Sequence, residues 1–329
     1  MTRMKTLFAL TVGLAFLATP AWADFRMERR LALEPGGTFT LDSDIGSVTV
    51  TGDSTSGATV TVTSRRDDFD ELFDLRFDES PGGATVTVKR RDGRWLKGFW
   101  GGDWFGNETQ IVVHVPSKTT ANIRTSGGSI DASRLAGRLV LRTSGGSLRV
   151  EEVDGPVEGS TSGGSIRMRD VRGDSTAQTS GGSIDVNGVR GRLRATTSGG
   201  SIDIDTVEGE LYASTSGGSV QIRGAGGRVE ARTSGGSVTV RMAAGNKGGG
   251  ELSTSGGGVR VEIDPRVALS IDASASGGDV HSDLPVTIQR LARNDGGGGA
   301  RSLRGDINGG GALLRLHSSG GGVRITAMR

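Results

Sequence analysis

The chain has no cysteine among its 329 residues, so neither a disulfide framework nor a thiolate metal site is open to it. Aromatic residues make up only 4% of it, with one tyrosine, so the interior has to be built from aliphatic side chains. Histidine is scarce too. His114, His281 and His317 fall in separate segments, and no two of them share a metal-ligand spacing or a nucleophile partner. Charge excess is missing as well: of 39 basic residues, Arg3 and Lys5 lie in the first 23 positions, and without them the basic residues equal the 37 acidic ones. Nucleic-acid affinity rests on such an excess, so a nucleic-acid partner is not expected. After residue 23 no apolar run approaches the roughly 18 residues of a membrane helix, and no transmembrane segment is expected in the mature chain.

The one long apolar run opens the chain. "MTRMKTLFALTVGLAFLATPAWA" places two positive charges before an apolar stretch and ends in an Ala-x-Ala arrangement at Ala21 and Ala23. Residues 1–23 therefore read as a secretory signal peptide cut before Asp24. Export is the expectation, to the periplasm, the cell surface or the medium.

What the chain has in abundance is glycine, 57 residues of it, and its placement is periodic. The phrase "TSGGSI" begins at Thr125, and near-copies begin at Thr143, Thr161, Thr179, Thr197, Thr215 and Thr233, each 18 residues after the last. With the Thr as position 0, position 5 is Ile130, Leu148, Ile166, Ile184, Ile202, Val220 and Val238, and position 7 is apolar in every copy. That is the period-two alternation of a strand with one face inward. Position 12 is glycine throughout, Gly137 to Gly245, and positions 14 and 16 are mostly aliphatic, so a second strand runs into the next "TSGG". A single such unit buries too little to fold alone, whereas stacked units share a continuous core. The expectation is an all-β, parallel β-solenoid of about ten coils, whose paired glycines turn corners at positive φ. Outward charges alternate between coils: Asp174, Arg192, Glu210 and Arg228 at position 13, Glu151 with Arg169 and Asp205 with Arg223 at position 8, Asp154 with Arg172 and Arg190 with Glu208 at position 11. Facing opposite charges favour the correct register.

Other solenoids of this period fit poorly. The apolar spacing is not the one-in-six of a hexapeptide helix, and Asp at position 6 occurs only at Asp131, Asp185 and Asp203, too rarely for a calcium β-roll. Ice binding through threonine ladders would need Thr outside, and the alternation points position 0 inward. Beyond Thr233 the spacing loosens: the phrase returns at Thr254, Ala275 and Ser318, after 21, 21 and 43 residues. Upstream, "SDIGSVTVTG" from Ser43 is a degraded copy. The expected organisation is a signal at 1–23, β-rich N-terminal coils at 24–120, and the repeat solenoid with irregular last coils at 121–329.

The segment "IVVHVPSKTTANIRTSGGSI", together with "SIDASASGGDVHSDLPV" and "LHSSGGGVRI" near the end, resembles the bacterial putative-adhesin family of β-strand repeats. The resemblance covers most of the mature chain. It implies this architecture, for a family whose function is largely unassigned, and it brings no catalytic residues or cofactor.

Three segments are candidates for chemistry. Asp185 and Asp203 would be vertical neighbours, and two close carboxylates could act as acid and base in a polysaccharide-cleaving enzyme; neutralisation of Asp185 by Arg167 is the plainer reading. The acidic run "DDFDELFDLRFDES" could collect calcium, or form a short amphipathic helix or edge with a solvated acidic face. "RWLKGFWGGDWFGN" gathers Trp95, Phe99, Trp100, Trp104 and Phe105, and holds every tryptophan after the signal. Such rings suit an envelope glycan or an envelope protein as partner, and equally a cap over the solenoid's open end. The sequence reads as a non-enzymatic structural, adhesion or binding module, with the glycan-cleaving enzyme and an envelope-stress or regulatory partner as the alternatives.

Overall fold

The computed structural model describes residues 25–54, 56–91, 109–293 and 300–328. The signal segment and the aromatic residues Trp95, Phe99, Trp100, Trp104 and Phe105 lie outside the described residues. Those described form 29 strands and one four-residue helix, Phe69–Leu72, and every strand belongs to a single sheet.

Each repeat contributes two strands. Those from position 5 onward build a wide ladder, as where Leu148–Asp154 lies parallel on Ile166–Arg172. Those from position 14 onward build a narrow ladder, as where Val157–Ser160 lies on Ser175–Gln178. Register is locked at the repeat length, so Leu148 faces Ile166 and Ile166 faces Ile184. The aliphatic residues at positions 5, 7 and 10 are buried in one continuous core, except Ala243 in the last repeat, where the register shifts and Met242 pairs with Ala225. Parallel ladders place each side chain directly on its counterpart in the next coil, so a strict sequence period becomes a strict column.

The wide strand bends at position 9. Arg134, Glu152, Asp170 and Gly188 stack there with φ of 56°, 55°, 51° and 81°, all in the left-handed region. Pairing skips this residue, running from Glu151↔Arg169 to Val153↔Val171. The extra residue returns Val153 and Val171 to the interior after two outward positions, as a β-bulge does.

The repeat glycines act differently from the sequence expectation. Those of the Gly-Gly pairs from Thr125 to Thr233 are not at positive φ. What excludes a side chain is stacking. A Cβ on Gly146 would overlap the carbonyl of Gly128 one coil earlier, and the same holds for Gly164 on Gly146 and Gly200 on Gly182. The corners need glycine because successive backbones touch there.

Strand order at both ends departs from chain order. At the N-terminal end the coil made by Thr38–Ser43 and Ser47–Ser54 lies between the later coil of Gly83–Arg90 and Thr109–Pro116 and the first repeat strands Thr120–Thr125 and Ile130–Ala136. At the C-terminal end the last strands, Ala312–Ser318 and Val323–Ala327, slip between the coil of Gly250–Thr254 and Val259–Ile263 and the coil of Leu269–Ala275 and Val280–Ser282. The chain crosses that gap just after Asp264, which accepts hydrogen bonds from the Gly245 and Arg266 amides and from the Arg266 guanidinium.

Both ends finish in antiparallel strands. Phe25–Leu31 pairs with Ala58–Ser64, Phe73–Ser80 with Gly83–Arg90, and Thr287–Arg293 with Ala300–Ile307. The solenoid is therefore parallel in its body and antiparallel at its tips. The acidic run resolves into the helix Phe69–Leu72 and the strand Phe73–Ser80, and Phe69 packs between Phe25 and Phe73 at ring distances of 4.8 and 5.0 Å. Its phenylalanines face the core and its carboxylates face water.

Candidate functional site

The repeated corner is consumed by structure. The Thr hydroxyl at position 0 is buried and donates to the carbonyl of the second glycine of the preceding coil: Thr161 to Gly146 at 2.7 Å, Thr179 to Gly164 at 2.8 Å, Thr197 to Gly182 at 2.8 Å. The Ser hydroxyl at position 4 accepts the amide N–H of the next coil's Ser, as Ser165 N to Ser147 Oγ at 3.2 Å. "TSGGS" is thus a self-complementary unit with its polar groups spent on its own copies.

The Asp185 and Asp203 pair does stack, as register partners on adjacent strands. Arg223 occupies it. Its guanidinium donates to both Asp203 oxygens, at 2.5 and 3.2 Å, in place of the Asp205 contact read from the sequence, while Arg167 is the register partner of Asp185 on the preceding strand. Hydrogen bonding and attraction from Asp203, with Asp205 and Asp185 behind it, raise the Arg223 pKa. Three of the other pairs form as read: Arg192 meets Asp174 at 2.8 Å, Arg190 meets Glu208 at 3.5 Å and Arg169 meets Glu151 at 3.9 Å, whereas Arg228 turns from Glu210 to Glu230 in its own coil, at 3.4 Å. Among the described residues no group of three His, Asp or Glu side chains is arranged to hold a metal ion.

Both anchors of the aromatic segment are described. In the coil of Thr38–Ser43 and Ser47–Ser54, three residues, Asp44, Ile45 and Gly46, make the corner between narrow and wide ladders. In the neighbouring coil the same connection, from Arg90 to Thr109, is made by residues 91–108. In sequence, then, the tryptophans fall between two strands that the neighbouring coil joins through a three-residue corner. The departure point is pinned. Lys89 Nζ reaches Asp42 and Asp44, each at 2.9 Å, and Arg91 reaches Asp74 at 2.7 Å. Burial works against ionised Asp44, but the Arg90 amide and the Lys89 ammonium outweigh it and hold its pKa below the ordinary carboxylate value.

A second surface escaped the sequence reading. On the outside of the narrow ladder, position 15 runs Glu158, Thr176, Arg194, Tyr212, Glu230 up successive coils. This column forms the wall of a groove of about 820 Å³, with Arg138, Arg142, Arg192 and Arg228 along its sides. Arg194 and Tyr212 are register partners, and the guanidinium carbon lies 4.1 Å from the centre of the tyrosine ring. Arg142 and Arg138 both reach Glu158. The chain's single tyrosine, 18 residues after an arginine of the same column, was the available signal.

A stacked, mostly parallel sheet wound round an aliphatic core, with turns tied by Thr and Ser ladders, defines a β-solenoid. Residues 38–302 match the Toastrack DUF4097 family model, and the chain belongs to that family. Solved structures of similar outline include a putative adhesin from Bacteroides fragilis NCTC 9343 (9% identity, 93% of this chain and 99% of that one, TM-score 0.41). Others are a putative lipid binding protein from Parabacteroides distasonis ATCC 8503 (13%, 92% and 97%, 0.44) and a putative adhesin from Parabacteroides merdae ATCC 43184 (8%, 91% and 95%, 0.35). No curated protein matches the chain. No helix among the described residues is long and apolar enough to cross a membrane.

Proposed function

We propose that the chain is an exported, non-enzymatic binding module of the cell envelope whose narrow-ladder groove takes a glycan. The observation that carries this reading is the Arg194 and Tyr212 stack in an open groove flanked by further arginines. An aromatic ring offers an apolar face to a sugar while charged neighbours hydrogen-bond its hydroxyls. The engagement of Asp203 by Arg223 supports the non-enzymatic reading, because a carboxylate held through both oxygens is a poor general base. The same proposal divides the chain into a signal at 1–23, N-terminal coils at 24–120 and a solenoid of 121–329, about ten coils in all. It assigns the aromatic segment to the N-terminal end as a cap that can add a second contact.

The test is binding of the purified mature chain to immobilised envelope polysaccharide. Tyr212→Ala and Arg194→Ala should each weaken it by roughly tenfold, about 1.4 kcal/mol. Equal binding by both variants would remove the groove from the proposal. Release of new reducing ends, abolished by Asp203→Asn, would instead establish the glycan-cleaving enzyme. For the aromatic segment, a native tryptophan emission that is blue-shifted and shielded from soluble quenchers supports the cap, and a fully quenchable one makes it an exposed binding loop.

A further inference from the structure

A solenoid has two open ends, and a strand there presents unpaired backbone groups to any other strand. The narrow ladder ends at Phe73–Ser80, whose described partner is Gly83–Arg90, and at Thr287–Arg293, whose described partner is Ala300–Ile307. The two ends are unlike. "FDLRFDES" carries three carboxylates and one arginine, with Asp78 and Glu79 exposed, while "TIQRLAR" carries two arginines and no carboxylate. They also run in opposite directions. The body strands are parallel from Gly83–Arg90 through to Leu269–Ala275; Phe73–Ser80 is antiparallel to the first of these, and Thr287–Arg293, two antiparallel steps beyond the last, runs with the body.

The exposed large hydrophobic side chains add a second, independent sign. Among the described residues they are Ile288 at 54%, Leu291 at 38% and Met27 at 37%, all on end strands. From Thr287 to Ala292 every residue is exposed, so this strand buries neither face in the monomer. Along the body such side chains are inside. A strand that spends Ile288 and Leu291 on solvent is shaped for something that covers it.

We infer that the occupant is a second copy of this chain, docked head to tail, with Thr287–Arg293 of one copy lying antiparallel along Phe73–Ser80 of the next. The direction is correct for a translated copy, and the lengths, seven and eight residues, match. Charge selects this pairing over the symmetric ones: two acidic edges repel, two basic edges repel, and the unlike edges attract. Because the contact is heterologous it does not close on itself, and the assembly grows as a chain in which the narrow ladder continues across each joint.

Sedimentation velocity of the mature chain over a range of concentrations tests this, with melting curves on every variant to establish that the fold is retained. The wild-type mass should rise with concentration and fall back as salt screens the edge charges. Ile288→Glu puts a carboxylate on the basic edge and blocks it while leaving the acidic edge intact; Asp78→Lys does the reverse. Each alone should be monomeric, and an equimolar mixture should form one-to-one dimers and nothing larger. A wild type that stays monomeric at every concentration overturns the inference. So does a mixture that fails to dimerise, which would assign any wild-type association to a symmetric contact.

Discussion

Thr197 donates its buried hydroxyl to the carbonyl oxygen of Gly182, one coil earlier, at 2.8 Å. The same bond recurs between Thr215 and Gly200 at 2.8 Å and between Thr233 and Gly218 at 2.6 Å. A buried polar side chain thus ties each coil to the one before it. Thr197→Val keeps the shape and deletes the donor, and should cost about 1 kcal/mol in urea unfolding; Thr197→Ser should cost less. No loss in Thr197→Val together with a loss in Thr197→Ser would mean that the methyl group, and not the hydroxyl, matters.

The two glycines of one corner should respond differently to a methyl group. A Cβ on Gly145 would lie 3.3 Å from its nearest neighbour, Gly127 O, whereas on Gly146 it would overlap the backbone of Gly128 and Ser129. Gly146→Ala should therefore cost about 3 kcal/mol or more, since stacked backbones cannot yield without opening the ladder. Gly145→Ala should be milder. Thermal unfolding of the two single variants decides the ranking.

At position 9 the opposite change helps. Asp170 is held at φ 51° in a column that becomes glycine at Gly188 one coil later. A left-handed conformation costs a side chain about 1 kcal/mol, so Asp170→Gly should stabilise by up to about that amount. A lower melting midpoint would show that the carboxylate itself secures the bend.

Burial raises the Asp131 pKa; Arg149 opposes the shift and Glu151 adds to it. A raised value means that the folded chain holds the proton more tightly than the unfolded chain, so ionised Asp131 weakens the fold at neutral pH. That penalty fades as pH falls below the ordinary carboxylate range. Asp131→Asn should raise the melting midpoint at about pH 7 and leave it unchanged at about pH 3. A variant less stable at neutral pH would mean that the contact with Arg149, at 3.8 Å, outweighs desolvation.

Removal of residues 312–329 should abolish cooperative folding. Leu314, Leu316, Val323 and Ile325 are buried between two coils, so their loss leaves a gap inside the stack and no shortened end. Circular dichroism of the truncated chain checks this. A native-like melt would mean that the flanking coils can close on each other.

The repeat body was legible because its information is local and repeated. Alternation at positions 5 and 7 identifies the inward face of each strand, and the period brings like residues into columns, so the buried Thr, the buried aliphatics and the Asp174 to Arg192 contact could all be read in advance. The groove was less legible: Arg194 and Tyr212 are ordinary surface residues until stacking brings the guanidinium over the ring. Arg223 likewise chose Asp203 over Asp205 by the reach of its side chain, which a column of letters does not contain.

By itself, then, the sequence determined the coil: strand, bend, strand, corner, and the axial repetition that buries what one coil cannot. Tertiary structure alone decided why the corner residues are glycine and in what order the end coils stack. A Gly-Gly pair reads the same whether it serves positive φ or close approach, and only the carbonyl of the preceding coil shows that here it is approach. Likewise, nothing local in Ala312–Ser318 says that it will fill a gap beside Gly250–Thr254. Any coil with the right period can pair with any other, and the choice among them rests on chain crossings such as the one after Asp264, which exist only once the whole core has formed.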